Sequence, residues 1–188
     1  EGLLNFGEEM RPVKLHTVVR GYTPTKTDFL FERRLNDYVS GVITEFSKGK
    51  PTLLFCSSRK GTAETAAHLA VVNAKLAPGS HGSFLTSRMQ HEQLLQAASQ
   101  VTNKQLAKVL PAGVAFHHAA LEGSDRLIVE QLFRNQVLLV LCTTSTLAQG
   151  VNLPAHLVIL KGTRRWCNDL GDASGYREYD RSTCLQMI

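Results

Sequence analysis

The sequence of 188 residues is 43% hydrophobic, which suits one domain with a buried core. Lys and Arg total 21 against 16 for Asp and Glu, so the net charge is +5, and the isoelectric point is about 9.2. This mild basic excess fits a nucleic-acid partner without requiring one, whereas the lack of any run near the ~18 apolar residues of a membrane span argues against an integral membrane protein.

The predicted elements alternate between strands and helices. In chain order they are a strand over 11–22, a helix over 29–47, a strand over 52–57, a helix over 58–76, helices over 88–110 with a break near Thr102 and Asn103, a strand over 113–118, a helix over 125–135, and strands over 137–142 and 155–161. The first strand is predicted from apolar residues at every second position, and the first helix from apolar residues at three-and-four spacing. The later strands are almost wholly apolar.

Apolar strands that alternate with helices predict an α/β fold, with a mainly parallel sheet covered by helices on both faces. Residues 162–181 are rich in Gly, Asp and Arg, and we expect them to form an exposed loop or hairpin. We expect one domain over 1–188, and because the final LQMI resembles the beginning of a helix, we expect the chain to be a fragment. Ligands of such sheets bind at the carboxyl ends of the strands, so the residues that follow each strand are the candidates for function.

Four cysteines lie far apart, at positions 56, 142, 167 and 184, and none forms a C-x-x-C pair. Disulfide frameworks usually have denser cysteines in shorter chains. We therefore expect reduced thiols and an intracellular, reducing compartment. The first ten residues also lack the basic and apolar segments of a signal peptide.

The turn after the second strand reads SSRKGT. Ser57 or Ser58 can cap the following helix, and the free amides and positive end of a helix favour a phosphate. Arg59 and Lys60 add positive charge at the same place. An ordinary helix cap with two solvated basic residues explains these features equally well.

Two histidines, His117 and His118, end the strand over 113–118. Adjacent strand residues point to opposite faces, and no nearby Cys or Asp completes a ligand set, so a metal site is not favoured. We expect one histidine to pack within the fold and the other to face the cleft. Ser124 and Asp125 are typical helix-capping residues.

Residues 143–155, TTSTLAQGVNLPA, carry more polar groups than a plain turn needs. The hydroxyls of Thr143, Thr144, Ser145 and Thr146 can donate hydrogen bonds to phosphate oxygens. Gly150 permits the close approach of another backbone or a ligand, and Asn152 can both donate and accept. The sequence has no GxxxxGK[ST] phosphate loop and no Ser-His-Asp or Cys-His set, so we expect no ATP hydrolysis by this chain alone.

Four ordered blocks resemble the second RecA-like motor domain of Ski-like superfamily two helicases. They are KPTLLFCSSRKGTAETA, LPAGVAFHHAALEGSDR, LLVLCTTSTLAQGVNLPAHLVI and LQMI, and the opening FGEEMRPVKLHTVVRGY resembles the entry strand of that domain. Three features are most similar to the meiotic crossover-promoting DNA helicases: KPTLLFC followed by SRKG, the entry strand, and the KGT after the last strand. Archaeal-type repair helicases and spliceosomal RNA helicases share the third block. The resemblance implies a RecA-like three-layer sandwich.

The resemblance also implies partners and roles. A first RecA-like domain of the same protein would supply the phosphate loop and the DExH acid, ATP and Mg²⁺ would lie mainly against that domain, and single-stranded or branched DNA would cross both domains in the nucleus. The implied nucleic-acid-binding residues are Ser57, Ser58, Arg59, His117, His118, Thr143, Thr144 and Ser145. The implied nucleotide-side residues are Gly150, Asn152 and Gln186, where Gln186 begins motif VI.

Two departures from the family pattern bear on activity. The family HHAGL block reads HHAAL, with Ala120 in place of glycine. The chain also ends at Ile188, before the motif VI arginines that would stabilise charge during phosphoryl transfer, so we expect the fragment to be inactive. Two alternatives remain: an RNA helicase of the spliceosomal or exosome-linked type, because phosphate contacts do not distinguish the sugars, and a non-catalytic RecA-like binding module.

Overall fold

The computed structural model describes residues 10, 13–149, 153–167 and 175–188. The strands are β1 (Thr52–Phe55), β2 (Val114–His117), β3 (Val140–Thr143), β4 (Leu157–Leu160), β5 (Arg164–Cys167) and β6 (Gly175–Glu178). The helices are α1 (Asp28–Phe46), α2 (Arg59–Asn73), α3 (Arg88–Gln100), α4 (Lys104–Val109), α5 (Gly123–Arg134) and α6 (Arg181–Met187). Short 3-10 turns cover Leu110–Ala112 and Ser145–Gln149.

The central sheet has the strand order β2-β3-β1-β4, and all its pairings are parallel. Every residue of β1, β2 and β3 is buried. Because neighbouring side chains of a strand point to opposite faces, this burial requires cover on both sides of the sheet. The predicted α/β fold of RecA-like type, with helices around a mainly parallel sheet, is confirmed.

The predicted strand over 11–22 is wrong for the residues that the structure describes. Residues 14–25 carry no strand hydrogen bonds and instead run along the outer side of α1. The Tyr22 ring stacks on Tyr38 at 4.3 Å, and Arg20 pairs with Glu45 at 2.6 Å. Alternating apolar residues predict a strand only where a neighbouring strand is present, and within the described residues this segment has none.

The helix predictions are largely confirmed, because most helices begin at a side-chain cap. Thr27, Ser58, Ser87 and Asn103 each accept a hydrogen bond from the first turn of the helix that follows. The break between α3 and α4 lies at the predicted place. One expectation fails: Asp125 does not cap its own helix, but accepts hydrogen bonds from the Thr102 and Asn103 amides at 2.8 and 2.9 Å. It therefore fixes the α3–α4 break.

Two buried amides attach the segment between α2 and α3 to the sheet. Asn73 donates to the Ala112 carbonyl at 2.8 Å and accepts from the Phe84 amide at 2.8 Å. Gln90 accepts from the Thr86 amide and donates to the Val137 carbonyl, both at 2.6 Å. The α3–α4 pair and its loop thus form part of the packed domain rather than an appendage.

Residues 164–167 and 175–178 form the antiparallel β5–β6 hairpin, in which Arg164 pairs with Glu178 and Cys167 with Gly175. The hairpin contacts the sheet edge through the Trp166 amide, which donates to the Ser57 carbonyl at 3.3 Å. All four cysteines carry free thiols, and Cys56 and Cys142 are buried. None of the helices described is both long and apolar enough to cross a membrane.

Candidate nucleic-acid interface

The carboxyl ends of the four parallel strands lie at one level. The register pairs Phe55 with Thr143 and Leu160, and His117 with Thr143. The residues that follow these strands therefore share one edge of the sheet, where open α/β sheets bind ligands. Three of the four ends carry residues predicted from sequence, and the fourth carries Lys161.

At the end of β1, the 57–59 turn (Ser57, Ser58 and Arg59) begins α2. The Ser58 hydroxyl accepts from the Gly61 amide at 3.0 Å, which confirms the predicted cap. Arg59 is exposed, and no carboxylate in the described residues lies within ion-pair distance of it. Lys60 differs, because it pairs with Glu64 at 3.7 Å and lies over the Phe29 ring at 5.9 Å. Arg59 is thus the cation of this turn that is available to an anion.

Ser57 is partly occupied by the hairpin. Its carbonyl accepts from the Trp166 amide at 3.3 Å, and Ser57 and Tyr176 line the same small cavity. Burial is the main cause that raises the pKa of Tyr176, and nearby Ser57 opposes this rise. The turn is therefore braced on one side by the hairpin, while Arg59 on its other side faces the β2 end.

The two histidines at the end of β2 have different surroundings. His117 is 5% exposed, and its Nε2 lies 2.8 Å from Oε1 of Glu130 on α5. Burial lowers the pKa of His117, and the Glu130 contact opposes that effect. His118 is half-buried and stacks on Phe116 at 5.7 Å between ring centroids. Its pKa is lowered by burial and then by the charge of nearby Arg59. Only His118 lies at the accessible edge.

The three hydroxyl residues at the end of β3, Thr143, Thr144 and Ser145, differ in burial. Thr143 has no exposed area, and its hydroxyl donates to the Thr144 carbonyl at 3.3 Å, so it cannot reach a ligand in this conformation. Thr144 is half-buried, and its hydroxyl lies 2.9 Å from that of Thr146. Ser145 is half-buried as well. Thr144 and Ser145, unlike Thr143, therefore retain access to a phosphate.

The predicted nucleotide-side residues are only partly described. Gly150 and Asn152 lie outside the described residues. Gln186 is exposed on α6, a short helix whose cap, Asp180, accepts from the Thr183 amide at 2.7 Å. α6 packs against the 3-10 turn Ser145–Gln149, so Gln186 and the polar turn after β3 belong to one connected part of the molecule.

The sequence interpretation missed the end of β4, where Lys161 is only 7% exposed. Its ammonium donates to Asn36 Oδ1 at 2.9 Å and to Thr65 Oγ1 at 3.0 Å, and lies 3.3 Å from Glu32 Oε2. The signal was present, because a lysine directly after an apolar strand stands at the same edge as the other candidates. No group of three His, Cys, Asp or Glu side chains suited to a metal occurs among the residues described.

The chain is similar along almost its full length to parts of much longer helicases. It is 47% identical over 186 residues to the ATP-dependent DNA helicase homolog MER3 of Arabidopsis thaliana, covering 99% of the chain and 16% of that protein. It is 42% identical over 187 residues to the human probable ATP-dependent DNA helicase HFM1, covering 98% and 12% respectively. The Arabidopsis DExH-box ATP-dependent RNA helicase DExH14 is 38% identical over 187 residues, covering 100% and 8%.

No family model matches the chain. The similarity is nevertheless continuous, and it includes each of the blocks on which the resemblance rests. The predicted resemblance to the Ski-like superfamily two helicases is therefore confirmed, and nearly the whole chain is homologous to one segment of the MER3 and HFM1 DNA helicases.

Proposed function

We propose that the chain is the second RecA-like motor domain of an ATP-dependent DNA helicase that moves 3′ to 5′ and acts in meiotic recombination in the nucleus. The relatives named as DNA helicases support this function, since they match nearly the whole chain at 42–47% identity. The chain spans only about an eighth to a sixth of these relatives, so the activity belongs to the intact protein.

The observation that carries the proposal is the exposed guanidinium of Arg59 after the carboxyl end of β1, which has no ion-pair partner among the described residues and lies near His118, at the same edge of the sheet as Thr144. A guanidinium and hydroxyls at a strand edge suit the oxygens of a nucleic-acid backbone. Backbone contacts do not depend on base sequence, as a translocating motor requires. Ser57 and Ser58 would position this contact, and buried Thr143 and His117 would support the neighbouring strand ends.

ATP and Mg²⁺ would bind mainly to a first RecA-like domain, facing Gly150, Asn152 and Gln186 of this one. Bound ATP would supply the free energy for closing the two domains on each other. The contact between α6 and the Ser145–Gln149 turn supports a link between that nucleotide side and the strand-gripping side. Thr144 precedes this turn directly, so a shift of α6 would be transmitted to the backbone grip.

The test is unwinding by the intact protein that contains this segment. Matched DNA duplexes with a 3′ or a 5′ overhang, and the same duplexes in RNA, would be incubated with ATP. We expect unwinding of the 3′-overhang DNA, with a strong loss in Arg59→Ala. If the intact protein unwound none of these duplexes with ATP but still bound a partner protein, the motor function would be contradicted. The chain would then be a non-catalytic binding module.

RNA is the second candidate substrate, because the relative DExH14 is named as an RNA helicase and is 38% identical over the whole chain. Phosphate contacts from Arg59 and Thr144 would serve either nucleic acid. Faster unwinding of the RNA duplex than of the matched DNA duplex would favour this candidate.

A further inference from the structure

The ammonium of Lys161 joins three elements of the fold. It contacts Glu32 and Asn36 on α1, at 3.3 and 2.9 Å, and Thr65 on α2 at 3.0 Å, while its own residue follows β4 directly. Thr65 in turn donates to Asn36 at 2.9 Å. The Lys161 side chain is only 3% exposed, so its charge is stabilised by these partners rather than by water.

A buried ion pair of this kind is weak evidence for stability alone. Removing two charges from water is costly, and apolar side chains of similar volume often stabilise a fold equally well. The ammonium instead contributes a fixed position, because its contacts hold the end of β4 relative to α1 and α2. The geometry therefore assigns Lys161 a positional purpose, and the neighbouring residues indicate what is positioned.

The element that follows Lys161 is the β5–β6 hairpin. Gly162 passes so close to the carboxylate of Glu32 on α1 that a Cβ at this position would lie 2.6 Å from Glu32 Oε1. Arg164, the first residue of β5, contacts Asp28 at 3.0 Å, one turn from Glu32 on α1. Two carboxylates on the same side of α1 thus hold the entry to the hairpin at two points.

The hairpin then returns to the 57–59 turn. The Trp166 amide donates to the Ser57 carbonyl at 3.3 Å, and Tyr176 of β6 lines the same small cavity as Ser57. From the other side, the Cys56 thiol lies 3.6 Å from the Thr65 hydroxyl that Lys161 contacts. The Lys161 network and the hairpin together enclose Ser57, two residues before Arg59.

We propose that Lys161 is a positioning residue: held by Glu32, Asn36 and Thr65, it fixes the β5–β6 hairpin against the 57–59 turn and so sets where Arg59 meets a nucleic-acid backbone. This inference rests on the proposed function for its last step. Its structural step, the docking of the hairpin, is independent of any activity.

Hairpin docking can be measured directly, because Trp166 is the single tryptophan of the chain and lies on β5. In Lys161→Met, we expect the emission of Trp166 to shift to longer wavelength and its quenching by iodide to increase. The helical circular dichroism should remain that of the wild type. Lys75→Met is the matched control, since Lys75 is an exposed lysine just beyond the C-terminal end of α2.

A second variant keeps the proposal testable if Lys161→Met does not fold. Glu32→Gln combined with Lys161→Met removes both charges, so no unpaired charge stays buried, but it also removes the link between β4 and α1. We expect this variant to be folded and to show the same change in Trp166 emission. Wild-type emission and quenching in every folded variant would overturn the proposal.

The consequence for binding is tested on the intact protein. We expect Lys161→Met to raise the single-stranded DNA concentration that half-saturates ATP hydrolysis by about tenfold, the order expected for one misplaced charge-assisted hydrogen bond. The maximal rate and the KM for ATP should be unchanged, whereas simple loss of folded protein would lower the maximal rate alone. An unchanged half-saturation point would overturn the positioning role, and no stimulation of the wild type by DNA would instead overturn the proposed function.

Discussion

Arg59 and Lys161 follow the carboxyl ends of the neighbouring strands β1 and β4, yet their surroundings are opposite. Arg59 is exposed and has no carboxylate within ion-pair distance in the described residues. Lys161 is 7% exposed and contacts an acid, an amide and a hydroxyl. Two cations at one edge of a sheet therefore have different roles, because solvation determines whether a charge can meet a ligand or must be satisfied within the fold.

The largest effect should come from breaking the buried pair. Lys161→Met leaves Glu32 without its cation in a mostly buried site, so the free energy of unfolding should fall by about 3 kcal/mol. Urea denaturation followed by circular dichroism measures this loss. Lys75→Met should change stability by less than about 0.5 kcal/mol. An equal, small effect of both substitutions would remove the contrast between buried and exposed cations.

A somewhat smaller loss is expected at Asp125, which extends the comparison to a buried anion. Its carboxylate has no exposed area and accepts from the Thr102 amide and hydroxyl and from the Asn103 amide. Asp125→Asn replaces one acceptor oxygen with a donor that faces other donors, so unfolding should become easier by about 2 kcal/mol. Denaturant titration of the variant and of the wild type provides the measurement.

Arg59→Ala, unlike the two buried substitutions, should weaken binding and leave stability nearly unchanged. Stability should change by less than about 0.5 kcal/mol, because the side chain is exposed. Binding of single-stranded DNA by the intact protein should weaken about tenfold, the order of one charge-assisted hydrogen bond. Fluorescence anisotropy with a labelled oligonucleotide measures the Kd. A stability loss as large as that of Lys161→Met would contradict the assignment of Arg59 to the ligand.

The smallest effect concerns pH. Burial, and then the charge of Arg59, hold the pKa of His118 below its ordinary 6.5. The unfolded chain therefore binds a proton more readily, so the contribution of His118 to stability is present above pH 6.5 and is lost as the pH falls towards the pKa of the folded state. Arg59→Ala should raise the pKa of His118 and lessen this loss, as an NMR titration of the imidazole would detect. An unchanged titration would mean that Arg59 points elsewhere.

Much of the fold was predictable, because apolar strands and capped helices are local patterns. Ser58 begins α2 as the sequence indicates, and the α3–α4 break lies at Thr102 and Asn103. The extended, unpaired conformation of residues 14–22 was not predictable. An alternating pattern predicts a strand but does not reveal whether a neighbouring strand is present. Asp125 also misleads, because its first-turn position resembles a cap while its carboxylate bonds to another segment.

The candidate site was predictable in outline but not in detail. The sequence brings the turns after β1, β2 and β3 to one edge, and the parallel register agrees. It cannot separate exposed Arg59 from occupied Lys60, or accessible Thr144 from buried Thr143, because these differences depend on contacts distant in sequence. Lys161 meets residues 96 to 129 positions away, so no local pattern could assign its partners.

The most direct test is the salt dependence of single-stranded DNA binding by the intact protein. The logarithm of Kd is plotted against the logarithm of salt concentration for the wild type, Arg59→Ala and Lys75→Met. If Arg59 neutralises one phosphate, its removal should make the slope shallower by about 0.7, and the control should keep the wild-type slope. A wild-type slope and affinity in Arg59→Ala would contradict the assignment of this exposed cation to the nucleic-acid backbone.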